Sequence, residues 1–101
     1  MSSNKTDAVD AFEDLGLTSY EAKVFIALHR LGLGTARDVA DTTDVPRSQV
    51  YSVAESLESR GLLEVQQSNP IRYRPVSVDE ARETLRDRFE REQDRACRQL
   101  N

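Results

Sequence analysis

Arg47, Ser48, Gln49, Tyr51 and Ser52 stand together at the start of an amphipathic stretch, a basic and polar set with short reach. The guanidinium fork of Arg47 can pair with O6 and N7 of a guanine, and the Gln49 amide with an adenine edge. The Ser48 and Ser52 hydroxyls suit a base edge or a phosphate, and the Tyr51 hydroxyl suits a phosphate. Further along, Arg72 and Arg74 alternate with Ile71, Tyr73 and Pro75, which makes one face of a strand basic and the other apolar. Thr35 and Arg37 open the helix before the cluster, where amides and a cation can also meet phosphate. Each residue has a plainer reading. Arg47 can be a surface arginine paired with Asp44, and Arg72 and Arg74 can belong to a solvated hairpin. The clustering is what favours a nucleic-acid surface.

Other chemistry finds little support. His29 is the single histidine, and it reads as a surface or boundary residue. Cys97 is the single cysteine and reads as an inert thiol, with oxidative cross-linking of a dimer as the alternative. Neither has the partners that nucleophilic catalysis or zinc binding requires, so no enzyme, metal site or cofactor is expected. One cysteine builds no disulfide framework, no apolar run approaches a membrane span and no leader is evident, so a cytoplasmic protein is expected.

The 101 residues suffice for one domain, and the 38% hydrophobic content makes dimerisation a reasonable way to cover apolar surface. Net charge is −4, unusual for a DNA-binding domain, and of 14 basic side chains only Lys5 and Lys23 are lysines. An acidic, lysine-poor surface resembles that of proteins from salt-loving organisms; a GC-rich genome is the alternative. Net charge bears on solubility and nonspecific association, not on fold.

The elements that must position these side chains follow from periodicity and caps. Residues 1–6 are polar and small, expected as a flexible tail. Ala8, Val9, Phe12 and Leu15 recur at helical spacing over residues 7–15, with Gly16 as the stop. Thr18 and Glu21 form a capping box for a second helix whose apolar face is Tyr20, Val24, Ala27, Leu28 and Leu31, ended by Gly32 or Gly34. Thr35 caps a third helix, with Asp38 favouring its positive end. Residues 42–44 break it, and Pro46 suits the first position of a fourth helix running to about Arg60, stopped by Gly61. Val39, Ala40, Val45, Val50, Val53, Ala54 and Leu57 hold these two helices together. Residues 62–66 and 71–76 alternate as two strands around a turn at residues 68–70. From Ser77, with Glu80 as a further box, a charged helix carries a sparse stripe of Ala81, Leu85, Phe89, Ala96 and Leu100. So narrow a stripe suggests a two-helix seam between subunits; a solvated helix lying on its own domain is the alternative.

The expected fold is therefore mainly α with a small β-hairpin, in the order of a winged helix-turn-helix (residues 7–76) followed by a long C-terminal helix (77–101). The segments LGLTSYEAKVFIAL, VPRSQVYSVAESLESRGLLEV and RYRPV resemble the DNA-binding domain of TrmB-type transcriptional regulators, which are mostly archaeal; the likeness runs from about Phe12 to Leu85. It implies a homodimer binding double-stranded operator DNA, roughly palindromic, through the fourth helix and the wing. The last helix would pair the subunits. This sequence departs from the pattern in three places. It stops at Asn101, where longer members carry an effector domain, often sugar-binding, so no small-molecule effector is evident. Asp44 stands where the family often has a turn glycine, and Asn69 and Ile71 occupy wing positions that are commonly basic. A winged helix that contacts protein instead of DNA is the competing class; an architectural DNA binder usually needs a more basic surface.

Overall fold

Two reciprocal caps set the helical frame. The Thr18 hydroxyl accepts from the Glu21 amide at 3.1 Å while the Thr18 amide donates to Glu21 Oε1 at 2.9 Å. Thr35 and Asp38 repeat the device at 3.1 and 3.0 Å. Each pair satisfies donors that a helix start otherwise leaves open. The computed structural model describes the backbone of residues 4–100 and the side chains of residues 8–88 and 90–92. Its elements are α1 (Asn4–Asp14), α2 (Ser19–Leu31), β1 (Gly34–Thr35), α3 (Ala36–Thr42), α4 (Arg47–Ser59), β2 (Leu63–Gln66), β3 (Arg72–Pro75) and α5 (Val78–Leu100). This is the expected mainly helical winged-helix arrangement. Helix α1 starts at Asn4, inside the expected tail, and residues 1–3 lie outside the described backbone.

The sheet holds one strand more than the expected hairpin. Strand order is β1-β3-β2, all antiparallel, with Thr35 opposite Arg72 on one side of β3 and Gln66 opposite Arg72 on the other. A two-residue strand shows no alternation, so sequence periodicity has nothing to detect. At Gly34 a Cβ would sit 3.0 Å from Leu31 Cδ1 and 3.3 Å from Leu28 Cδ2, so those two side-chain tips would have to give. Gly32, at φ +79°, is the residue that ends α2, its amide donating to the Leu28 carbonyl at 2.7 Å.

The core gathers around α2. Phe25 meets Phe12 of α1 edge to face, with ring centroids 5.2 Å apart. Leu28, Val39, Val50, Leu57, Leu62 and Tyr73 complete it from α2, α3, α4 and the sheet. Each large aliphatic side chain buried this way contributes about 1.5–3 kcal/mol. The buried side of α2 is wider than the expected face, and two members of that face lie outside it. Ala22, Phe25 and Ile26 are buried, whereas Tyr20 and Leu31 are exposed at 36% and 41%. Packing against α1, α3, α4 and β3 explains the width, and position at the two ends of the helix explains the exceptions.

Ala81 and Leu85 correct the subunit-seam expectation. They are 0% and 1% exposed within this one chain, so the first turns of α5 close its own core. An apolar stripe records that something covers it, not what covers it. Phe89, Ala96, Leu100 and Cys97 lie outside the residues whose side chains are described. No described helix is long and apolar enough to cross a membrane.

Candidate nucleic-acid interface

Helix α4 is anchored by Val50, Ala54 and Leu57, which are buried, and this fixes its rotation. Arg47, Ser48, Gln49, Tyr51 and Ser52 are consequently all exposed, Tyr51 at 48%. Pro46 is the cap and not the first helical residue. It is extended (φ −60°, ψ 140°) and supplies no side-chain bond to the helix start. Unlike α2 and α3, α4 therefore begins without a side-chain cap, an end with the positive partial charge that anions favour. The Ser52 hydroxyl donates to the Gln49 carbonyl at 3.1 Å, within the helix. Asp44, the alternative partner for Arg47, takes the Lys23 ammonium at 3.1 Å. No described residue other than glycine has a positive φ, so Asp44 meets the turn without a left-handed backbone.

Three elements converge around an open concavity of about 840 Å³. Thr35 and Arg37 line it from the start of α3, Arg47 and Tyr51 from the start of α4, and residues 67–71 from the hairpin turn. Arg72 stands beside it in register with Thr35, and its Nη1 donates to Ser68 Oγ at 3.5 Å. Ser68 in turn donates to the Pro70 carbonyl at 2.7 Å, which folds the turn back on itself. Gln67, Ser68 and Asn69 were not among the expected contact residues. Their place in a turn between two strands was the available signal.

Other expected residues fall elsewhere. Ser48, Gln49 and Ser52 line no part of the concavity and occupy the outer surface of α4. Arg74 lies one pleat further from the turn, opposite Glu64 on the same exposed face. The Thr35 amide is already taken by Asp38, so it is not open to phosphate. Arg37 lies 4.0 Å from Asp41, both well exposed, a pairing that costs little to exchange.

Carboxylates limit the positive surface. The Thr35 amide and hydroxyl, with Arg72 and Arg37 nearby, hold the Asp38 carboxyl below its ordinary range. Glu55 and Glu58 are exposed on the second half of α4, so the helix runs from basic to acidic along its length. Burial, followed by the proximity of Tyr51 and Glu58, pushes the Tyr73 phenol up.

Glu21 does more than cap α2. It is 4% exposed, accepts from the Ser56 hydroxyl and from Arg60 Nε (3.3 Å), and so ties the start of α2 to the end of α4. Burial alone would raise its pKa. The Ser56 and Thr18 hydrogen bonds and the Arg60 guanidinium outweigh that and hold it below the usual carboxylate range.

The profile of the family described as sugar-specific transcriptional regulator TrmB matches residues 12–79. The sugar-sensing regulator TrmBL1 of Pyrococcus furiosus is 28% identical over 80% of this chain and 24% of its own length. An uncharacterised protein of Bacillus subtilis, YrhO, is 36% identical over 91% of this chain and 34% of its own. This chain thus spans about a quarter to a third of the length of these curated relatives. The structure of TrmBL2, an archaeal chromatin protein with a novel mode of DNA binding, superposes with a TM-score of 0.80 at 28% identity, over 96% of this chain and 38% of that one. Bordetella bronchiseptica BpsR shares the fold alone, at 21% identity and a TM-score of 0.58. With more than half its length matched by the family profile, and with its winged-helix order intact, the chain belongs to the TrmB family of transcriptional regulators.

Proposed function

We propose that this chain is a sequence-specific regulator that binds double-stranded DNA as a homodimer, the start of α4 in the major groove and the hairpin on the backbone. One observation carries the reading: Arg37, Arg47, Tyr51 and the wing turn share one concave surface beside an uncapped helix start, in a chain whose net charge is −4. Local cations matter more here than the sum. The outward Ser48, Gln49 and Ser52 would meet base edges, and Arg37 and Arg72 phosphates. Symmetry would place two such helices about 34 Å apart on a roughly palindromic site. Helix α5 supports pairing by length: it continues well beyond Leu85, the last core residue among the described side chains, with Phe89, Ala96 and Leu100 as the candidate seam. The compartment is the cytoplasm, where the DNA is, and the lysine-poor surface suits strong salt.

The TrmBL2 likeness favours a second reading, a chromatin protein with little sequence preference. Gel shift against upstream DNA and random competitor, at one stated salt concentration, separates the two. The first reading expects at least about a thousandfold preference for the operator, the second none. In the first, Arg47→Ala lowers operator affinity by about 1–3 kcal/mol and leaves the competitor little changed. Absence of DNA binding at low salt rejects both and favours a protein-contacting winged helix, with exposed Ile71 and the outer face of α4 at the contact.

A further inference from the structure

A second concavity, of about 720 Å³, lies between α1, α2 and the base of α5 and shares no lining residue with the first. Its floor is apolar, lined by Ala8, Ala11, Leu15 and Val78, with the buried Phe12, Phe25 and Ile26 directly beneath. Its rim is basic: Arg30 from α2, and Arg82 and Arg86 from α5. The volume falls in the range of small-molecule sites, and the pattern of apolar floor with a few convergent polar groups is the one such sites share.

The fold presents these groups; they are not stray surface charges. Ala81 and Leu85 are locked in the core, which sets the rotation of α5 and turns Arg82 and Arg86, one helical turn apart, toward the cavity. Buried Phe25 and Ile26 do the same for Arg30, one turn further along α2. Against three arginines the lining offers one carboxylate, Asp14, a local positive excess in an acidic chain. Among the described residues none of the three arginines joins a salt bridge, whereas Lys23, Arg37 and Arg60 do. The exposed His29 ring, 6.4 Å from that of buried Phe25 and tilted by 34°, gives the lining an accessible aromatic face.

We infer that this cavity binds a small aromatic carboxylate. Its ring would stack beside the exposed His29 ring over the apolar floor, and its carboxylate would take the bidentate guanidinium fork, which a neutral ligand cannot use; inorganic phosphate can use the fork but gains nothing from the apolar floor. The inference concerns the free protein and stands apart from the DNA reading.

The test is a titration of the whole chain, without DNA, with benzoate, 2-naphthoate and indole-3-acetate, followed by amide chemical shifts at about 0.1 M salt to limit screening. Benzamide and inorganic phosphate are the controls. Saturable shifts grouped at Ala11, Leu15, Ile26, His29 and Val78 for at least one carboxylate, and for neither control, are expected. Arg82→Gln with Arg86→Gln, both exposed positions, should weaken that binding by about tenfold or more while the rest of the spectrum stays in place. Three results overturn the inference: no saturable response to any of the carboxylates, equal binding of benzamide or phosphate, or unaltered affinity in the double variant. If the same resonances move on dilution alone and then ignore the carboxylates, a second copy of the chain fills the cavity and the inference also fails.

Discussion

Glu21 and Arg47 sit at the starts of two helices and carry opposite lessons about polar side chains. Glu21 is buried at a junction where Thr18, Ser56 and Arg60 all meet its carboxylate. Arg47, with Ser48 and Tyr51, is exposed and makes no side-chain hydrogen bond within the described residues. One region has its donors and acceptors matched inside the subunit and serves the fold. The other leaves them facing outward, matched by water and open to exchange with a partner. Chemical type does not separate the two; the location of the complementary groups does.

Variants can break or sharpen that contrast. The largest effect is expected at the junction: Glu21→Ala should lower stability to urea by about 2–3 kcal/mol, because it strands a half-buried guanidinium and a hydroxyl. Its sign with pH follows from the carboxyl being held below its ordinary range. The stabilisation is fully present above the unfolded pKa of about 4.3 and is lost as pH falls through the lower folded value. The gap between wild type and Glu21→Gln should therefore begin to close as pH falls below about 4.3 and vanish only below the lower folded value. A constant gap down to the acid limit would mean that packing, not charge, is at work.

Arg47→Ala should show the reverse pattern, with operator affinity down by about 1–3 kcal/mol and urea stability within about 0.5 kcal/mol of wild type. A stability loss as large as that at Glu21 would erase the distinction. Arg72→Ala is expected to weaken binding to every DNA sequence alike and to flatten the salt slope by about one, whereas Arg74→Ala, opposite Glu64 and away from the concavity, should do less. The smallest change is a gain. Glu58→Gln removes a carboxylate from the far half of α4 and should strengthen nonspecific binding less than threefold, measured at low salt.

Much of this frame was legible beforehand because it rests on local rules. Caps at Thr18 and Thr35, stops at Gly16 and Gly61, and the alternating arginines of β3 are all written within a few residues. What escaped depends on distance or on very short pieces. Ser56 and Arg60 reach Glu21 across 35 and 39 residues, and no spacing rule connects them. Strand β1 has two residues, too few for a period. Ala81 and Leu85 were visible as a stripe, but their partner is the subunit's own core, which only the packed chain reveals. The acidic end of α4 was different: Glu55 and Glu58 lie one and two turns beyond the polar cluster, so helical spacing alone places them. The cationic cavity joins the consecutive helices α1 and α2 to the distant α5 and had no local signature.

Thr35 has a mechanical consequence. The same residue forms the last rung of β1 against Arg72 and the cap that starts α3. No slack intervenes between wing and helix, so in the proposed complex load applied to the hairpin would pass straight into the helix-turn-helix. The two grips on DNA would therefore shift together as a single rigid jaw.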